Sequence, residues 1–404
     1  MKNDLYFDID IHKSLFRKIL AERDSVGYYN LPSQKLNKLN KFVENFDKEY
    51  PDIKNIIVIG IGGSSLGTRA IYKFLVSSKE LKRKMYFLES TDPSELQDLI
   101  KHIDIKNSHF LMVSKSGNTI ETISIFKYIY SLLNQDSKYF SFITEKKSKL
   151  HKFAKSIGSK SMFIPKNVGG RFSVLSNIGL VPLALVGIDI KNILEGAKRM
   201  EVSFFNDGYI KNILLKKATH IANNYNTYNI NTIFTYSESL KYFCEWYVQL
   251  WGESLGKKQN HSSLNVGLTP IGLIGPKDQH SFLQLIVEGI RNKSVTFIMV
   301  DDFKLKLDIP NISLKYLEEL DIVNGVAFNT LINKQAKATL QSLKEIKIPL
   351  DVITLPHIDE LHIGELIYYY ELLTSSVGIL LDVNTYNQPG VEDGKIILKG
   401  MLQN

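Results

Sequence analysis

Asn55-Ile56-Ile57-Val58-Ile59-Gly60-Ile61-Gly62-Gly63-Ser64-Ser65-Leu66-Gly67 runs from aliphatic residues straight into a glycine and serine turn, then into an amphipathic segment. The aliphatic run is too short for a helix and rich in β-branched residues, so it reads as a strand buried on both faces. The glycines let the backbone approach a ligand closely, and the helix that opens at Leu66 turns its N-terminus towards an anion. The likeness to a dinucleotide fingerprint is loose, because Ser65 stands where the third glycine belongs. Nor is it a P-loop, since no Gly-Lys-Ser/Thr follows.

The same rhythm runs outward in both directions. Met85-Tyr86-Phe87-Leu88, Phe110-Leu111-Met112-Val113 and Phe140-Ser141-Phe142-Ile143 read as further strands. Helical patterns over Leu66–Leu75, Ser94–His102, Thr119–Leu133 and Lys147–Ile157 separate them. After about residue 205 the alternation returns, with strands at 230–236, 295–300 and 349–354. Helices are expected at 240–254, 280–288, 329–344 and 360–373. Strand–helix alternation implies parallel sheets covered on both faces, hence an α/β fold. The expected organisation is two similar domains, 1–204 and 205–404, joined through the helical stretch Ile190 to Phe204 and ending in a helical tail.

Composition narrows the class. The chain has 404 residues, 44% hydrophobic and 23% charged, which is ordinary for a soluble globular protein. A single cysteine, Cys244, forbids an intrachain disulfide and suits a reducing cytoplasm. The charged start Met1-Lys2-Asn3-Asp4 lacks the apolar region of a signal peptide. The longest uncharged stretch, Phe172 to Ile188, contains Pro182 and two glycines and falls short of a bilayer span, so it reads as a buried helix and no membrane role is expected. The net charge of +8 gathers in Lys79–Lys84 and Lys146–Lys149, without the interleaved aromatics of a nucleic-acid platform. No nucleic-acid partner is expected, and an anionic small molecule fits the charge equally well.

In open parallel sheets ligands sit beyond the carboxyl ends of the strands, so the loops there are the place to look for chemistry. Val113-Ser114-Lys115-Ser116-Gly117-Asn118-Thr119 brings three hydroxyls, one lysine and free backbone N–H groups to a helix N-terminus, which is what a phosphate monoester needs. A capping residue explains one of those hydroxyls, not three. Arg171 follows two glycines and is either a cleft guanidinium or a surface residue. Glu253, late in the helix that carries Gln249, Leu250 and Trp251, is either solvent-facing or a partly desolvated base. His280 opens an expected helix after Gly275-Pro276-Lys277-Asp278-Gln279, and most histidines in that position are structural. Near the C-terminus, Gln388 and Lys395 stand two helical turns apart, on one face if a helix begins near Pro389. No metal site stands out: His357 and His362 do not share a helical face, and HExxH and CxxC are absent. A Gly-x-Ser-x-Gly hydrolase elbow is also missing.

Taken in order, these segments resemble the glucose-6-phosphate isomerase family. Asn167–Leu180 (NVGGRFSVLSNIGL) and Gly378–Lys395 (GILLDVNTYNQPGVEDGK) resemble its two signatures, and IGGSSLG, VSKSGNT, QLWGESLGK and DQHS its other active-site segments. The resemblance implies two sugar-isomerase (SIS) α/β sandwiches and a reversible aldose–ketose isomerisation of glucose 6-phosphate and fructose 6-phosphate, in glycolysis and gluconeogenesis, without a cofactor or metal. It implies that Ser114, Lys115, Ser116 and Thr119 hold the sugar phosphate, with Gly63, Ser64 and Gln388 completing the pocket. His280 and Lys395 would open the ring, Glu121 would orient His280, Glu253 would move the proton between C2 and C1, Arg171 would stabilise the enediolate, and Gln249 would position the substrate. It also implies a homodimer whose sites share the histidine across the interface. Asn118 and Pro389 depart from the family pattern where threonine and tryptophan are frequent, without replacing a chemical group. Two rival readings are a SIS-type sugar-phosphate sensor, against which Glu253, His280 and Lys395 together argue, and an isomerase that also accepts mannose 6-phosphate.

Overall fold

The computed structural model describes residues 1–403. In chain order its strands are β1 (Lys2–Leu5), β2 (Asn55–Ile59), β3 (Lys84–Leu88), β4 (Ser108–Val113), β5 (Phe140–Glu145), β6 (Lys160–Ile164), β7 (Ile230–Thr235), β8 (Lys257–Lys258), β9 (Asn265–Val266), β10 (Thr269–Ile274), β11 (Lys293–Asp302) and β12 (Leu350–His357). Five of them form a wholly parallel sheet in the order β3-β2-β4-β5-β6. A second sheet has the order β1-β12-β11-β7-β10, parallel except for β1, and β8 with β9 makes a small hairpin.

The two-residue period of a strand decides how these sheets pack. In β2, Ile56 and Val58 join one core while Ile57 and Ile59 join another. In β12, Ile353 and Leu355 join the first of those cores, and Leu350 and Val352 join a third. One core is therefore shared by the two sheets, and each sheet covers a separate core on its other face. That double burial is why the strands read as unbroken aliphatic runs.

Helices lock the halves together. Ile190–Phe205 crosses Glu360–Leu380 so closely that a Cβ on Gly196 would lie 1.9 Å from the Leu361 carbonyl oxygen, and one on Gly364 2.1 Å from that of Ile193. Only glycine lets the two backbones touch. The second helix is buried along nearly its whole length, as its all-round apolar sequence requires. No helix among the described residues is long and apolar enough to cross a membrane.

The strands and helices expected from the sequence are present, with several corrections. Strands β6 and β10 were not anticipated. Both are edge strands, where fewer neighbours demand an apolar run, and β10 carries Pro270 and Gly272. The division at 204/205 assigns Lys2–Leu5 to the first half, yet β1 pairs with β12 in the second sheet. The uncharged stretch forms a helix only over Asn177–Leu185, after a short turn at Gly170–Phe172. His280 ends a short turn, Lys277–His280, and the helix proper begins at Leu283. The tail is helical over Glu392–Met401, after a separate turn at Pro389–Val391.

Candidate active site

The glycine turn after β2 forms one wall. Gly62–Ser64 packs against the turn Gly170–Phe172, and a Cβ on Gly63 would lie 2.4 Å from the Gly170 carbonyl carbon. Any side chain at 63 would push the two turns apart, and with them Arg171.

Arg171 is the hub. Its side chain is only 2% exposed, and its five N–H donors meet a full set of acceptors. Nε donates to Ser254 Oγ at 2.7 Å. Nη1 donates to Glu253 Oε2 and to Gln388 Oε1, both at 3.2 Å. Nη2 donates to the backbone oxygens of Thr385 at 2.5 Å and Asn387 at 3.0 Å. Burial pulls its pKa below the ordinary arginine value, while Glu253 pulls the other way. The surface reading of Arg171 is thereby excluded, and a buried planar fork ties three segments into one geometry.

Glu253 lies near the end of the helix Lys241–Leu255, with about a third of its side chain exposed. The helix is anchored beneath it: Trp251 Nε1 donates to Asn231 Oδ1 at 3.1 Å, and the Tyr247 hydroxyl to the Asn231 backbone oxygen at 3.1 Å. One turn earlier, Gln249 Nε2 donates to Glu253 Oε1 at 3.3 Å, while the buried Gln249 Oε1 has no partner. Glu253 thus keeps one edge open to the cleft, with both oxygens held in place by donors.

The loop after β4 is held by hydrogen bonds of its own hydroxyls. Ser114 Oγ accepts from the Gly117 N–H at 3.1 Å and lies 3.5 Å from Thr119 Oγ1, and Ser116 Oγ accepts from the Asn118 N–H. Thr119 precedes the helix Ile120–Leu132 without making a side-chain cap, so the simple capping reading does not account for it. Lys115 differs from expectation. Its ammonium donates to the carbonyls of Lys166 and Val168, both at 2.8 Å, which straps the loop leading to Arg171 and leaves one N–H for a ligand.

His280 and Lys395 make no hydrogen bond to this centre within their own chain. Gly252, next to Glu253, meets Pro270 at the start of β10, whereas His280 follows Ile274 at the other end of that strand. Pro270 to Ile274 alone spans about 13 Å at ~3.3 Å per residue. His280 is exposed, and no hydrogen bond joins it to Glu121, which lies in the first turn after the Ser114–Thr119 loop. Lys395 sits on the exposed tail helix, paired with Glu392 at 2.7 Å. Gln388 has non-helical backbone and turns inward to Arg171, so the expected shared face with Lys395 does not form.

Comparison with known proteins places the chain in a family. The family model described as phosphoglucose isomerase matches residues 32–404. The chain belongs to the phosphoglucose isomerase family. It is 44% identical to a protein named glucose-6-phosphate isomerase from Campylobacter jejuni, over all of this chain and 99% of the relative. A solved hypothetical protein from Thermus thermophilus superposes with a TM-score of 0.88 at 30% identity, covering 97% of this chain and 94% of the other. A glucose-6-phosphate isomerase structure from Chlamydia trachomatis shares the fold, with a TM-score of 0.77 at 20% identity over 98% of this chain and 76% of that one.

Within this chain the structure adds groups that the sequence alone leaves unassigned. Ser254, beside Glu253 in the same motif, fixes the Arg171 Nε. The backbone oxygens of Thr385 and Asn387 fix its far edge. Ser254 had a signal in its place beside Glu253. Backbone carbonyls leave none, because any residue supplies one.

Proposed function

We propose that this chain interconverts glucose 6-phosphate and fructose 6-phosphate by aldose–ketose isomerisation through ring opening and a cis-enediolate. The observation that carries the reading is a partly exposed carboxylate, Glu253, held 3.2 Å from the buried guanidinium of Arg171. Removing a proton next to a carbonyl leaves negative charge on two oxygens, so the reaction needs a base and a fixed positive group in one place. Glu253 moves the proton between C2 and C1. Arg171 stabilises the enediolate through its fixed positive charge beside Glu253, its N–H groups being held by protein acceptors. Gln249, whose amide donates to Glu253 Oε1, helps position the substrate.

Ser114, Ser116, Thr119 and the remaining N–H of Lys115 hold the phosphate, with Gly63, Ser64 and Gln388 closing the pocket. His280 and Lys395 exchange protons with the ring oxygen and the anomeric hydroxyl, and Glu121 orients His280. The separation of Glu253 and His280 along β10 supports a homodimer in which each site takes its histidine from a second copy. Hydrogen is redistributed within the substrate, so the chemistry asks for no redox cofactor. The protein works in glycolysis and gluconeogenesis, in the cytoplasm, where a lone buried Cys244 is at home.

A coupled assay of fructose 6-phosphate conversion to glucose 6-phosphate tests this directly. Turnover is expected, and none at any substrate concentration would remove the reading.

A further inference from the structure

Lys257, two residues past the end of the helix Lys241–Leu255, has an unusual set of partners. Its ammonium donates to the Asn384 carbonyl at 3.2 Å, to the Asn387 carbonyl, and to Asn387 Oδ1 at 3.2 Å. Three N–H donors meet three acceptors, so the group has none left for a substrate. The Asn387 carbonyl is also an acceptor for Arg171 Nη2. The Asn384–Gln388 turn is therefore gripped from two sides, by Arg171 from within and by Lys257 from the end of the Glu253 helix. Lys257 lines one cavity of about 780 Å³ together with Glu253 and Gln388.

We propose that Lys257 is a positioning residue for this reaction: it ties the turn that carries Gln388 to the helix end that carries Glu253. The inference rests on the proposed function above, since Glu253 and Gln388 matter only if they face the sugar. Within one chain the strap fixes the distance between the base and the C-terminal segment, and so sets where the tail helix with Lys395 departs.

The strap is sensitive to alkali. Burial, then the charge of Arg171, pulls the Lys257 pKa down to about 8, with Glu253 opposing. Arg171 and Glu253 are the charged groups that face it, and Lys258 lines the same cavity wall. A neutral amine has two N–H groups and a lone pair, so one of the three contacts becomes repulsive when the proton leaves. The sign separates this from unfolding. The folded chain releases the proton more readily than the unfolded one, so between about pH 8 and the ordinary lysine value of 10.5 this titration favours the folded state.

Full-length wild type, Lys257→Arg and Lys257→Met are compared for kcat and KM against pH, with thermal melting at each pH. Misplacement of the base is expected to lower kcat of Lys257→Met roughly 10- to 100-fold at pH 7.5. Lys257→Arg keeps its charge, so its activity should persist to higher pH than that of wild type by about one unit or more, without a matching change in melting temperature. An Arg variant whose alkaline limb coincides with that of wild type overturns the proposal, whether or not the Met variant folds. So does a folded Met variant with wild-type kcat. Failure of the wild type to isomerise fructose 6-phosphate is a separate result, which removes the functional reading itself.

Discussion

Two parts of this site are built in opposite ways. Around Arg171, every segment is interlocked: the fork reaches Ser254, Glu253, Gln388, Thr385 and Asn387, and its side chain is 2% exposed. The groups assigned to ring opening are the reverse. Lys395 is 61% exposed on a tail helix whose apolar residues Ile396, Ile397 and Met401 also face outward, and His280 ends an exposed turn. The difference teaches how the labour is divided. Stabilising an enediolate needs dipoles fixed before the substrate arrives, so those groups are packed into one chain. Groups that stand clear of the body are free to reach a second copy, as the proposed shared site requires.

The largest expected effect strikes the packed part. Glu253→Gln keeps the size and one accepted hydrogen bond, that from Arg171 or that from Gln249, but cannot take a proton. Its kcat should fall ~10²–10⁴-fold, with little change in substrate affinity, since a general base is worth about that much. Solvent-tritium uptake into the sugar at the wild-type rate in this variant would falsify the assignment of the base.

The next prediction moves to the loop proposed to hold the phosphate, whose serines already accept from its own backbone. Ser116→Ala with Thr119→Ala removes two donors to a charged group, each worth roughly 1.5–3 kcal/mol. KM for phosphorylated sugars should rise ~10²-fold or more, with a smaller change in kcat. Unchanged affinity for fructose 6-phosphate by calorimetry would put the phosphate elsewhere.

Stability gives the mildest contrast and sharpens it most simply. Arg171→Met leaves carbonyls and a carboxylate without their donor and should cost about 3–5 kcal/mol in denaturant unfolding. Lys395→Met, on an exposed helix, should stay within about 0.5 kcal/mol. Equal losses in the two variants would mean that the tail is docked as firmly as the centre.

Much of this was legible in the sequence, and the legible part has a pattern. Strands with four or five consecutive aliphatic residues, such as Ile56–Ile59, announce themselves because burial on both faces forbids polar alternation. Edge strands β6 and β10 do not, since one side lacks a neighbour and Pro270 is tolerated there. The N-terminal strand β1 was invisible for another reason: it pairs with β12 some 350 residues away, and no local pattern encodes such a partner. That a carboxylate and an arginine belong together was suggested by residue type, and Glu253 and Arg171 do meet. The rest of the bonding was not legible. Lys115 looks like a phosphate ligand in sequence, yet two of its three donors fasten the loop before Arg171. A lysine side chain is long enough to reach either target, and only the packed backbone decides between them.

The central claim is that one chain holds the proton-transfer centre and a second copy supplies His280. Chains carrying Glu253→Gln are mixed with chains carrying His280→Ala, refolded together, and the heterodimers confirmed by mass before the coupled assay is run. If the sites are shared, each heterodimer has one site with both lesions and one with none. An equal mixture that pairs at random should then recover about a quarter of wild-type activity. If each chain completes its own site, every site keeps one lesion, and confirmed heterodimers with no recovered activity contradict the account.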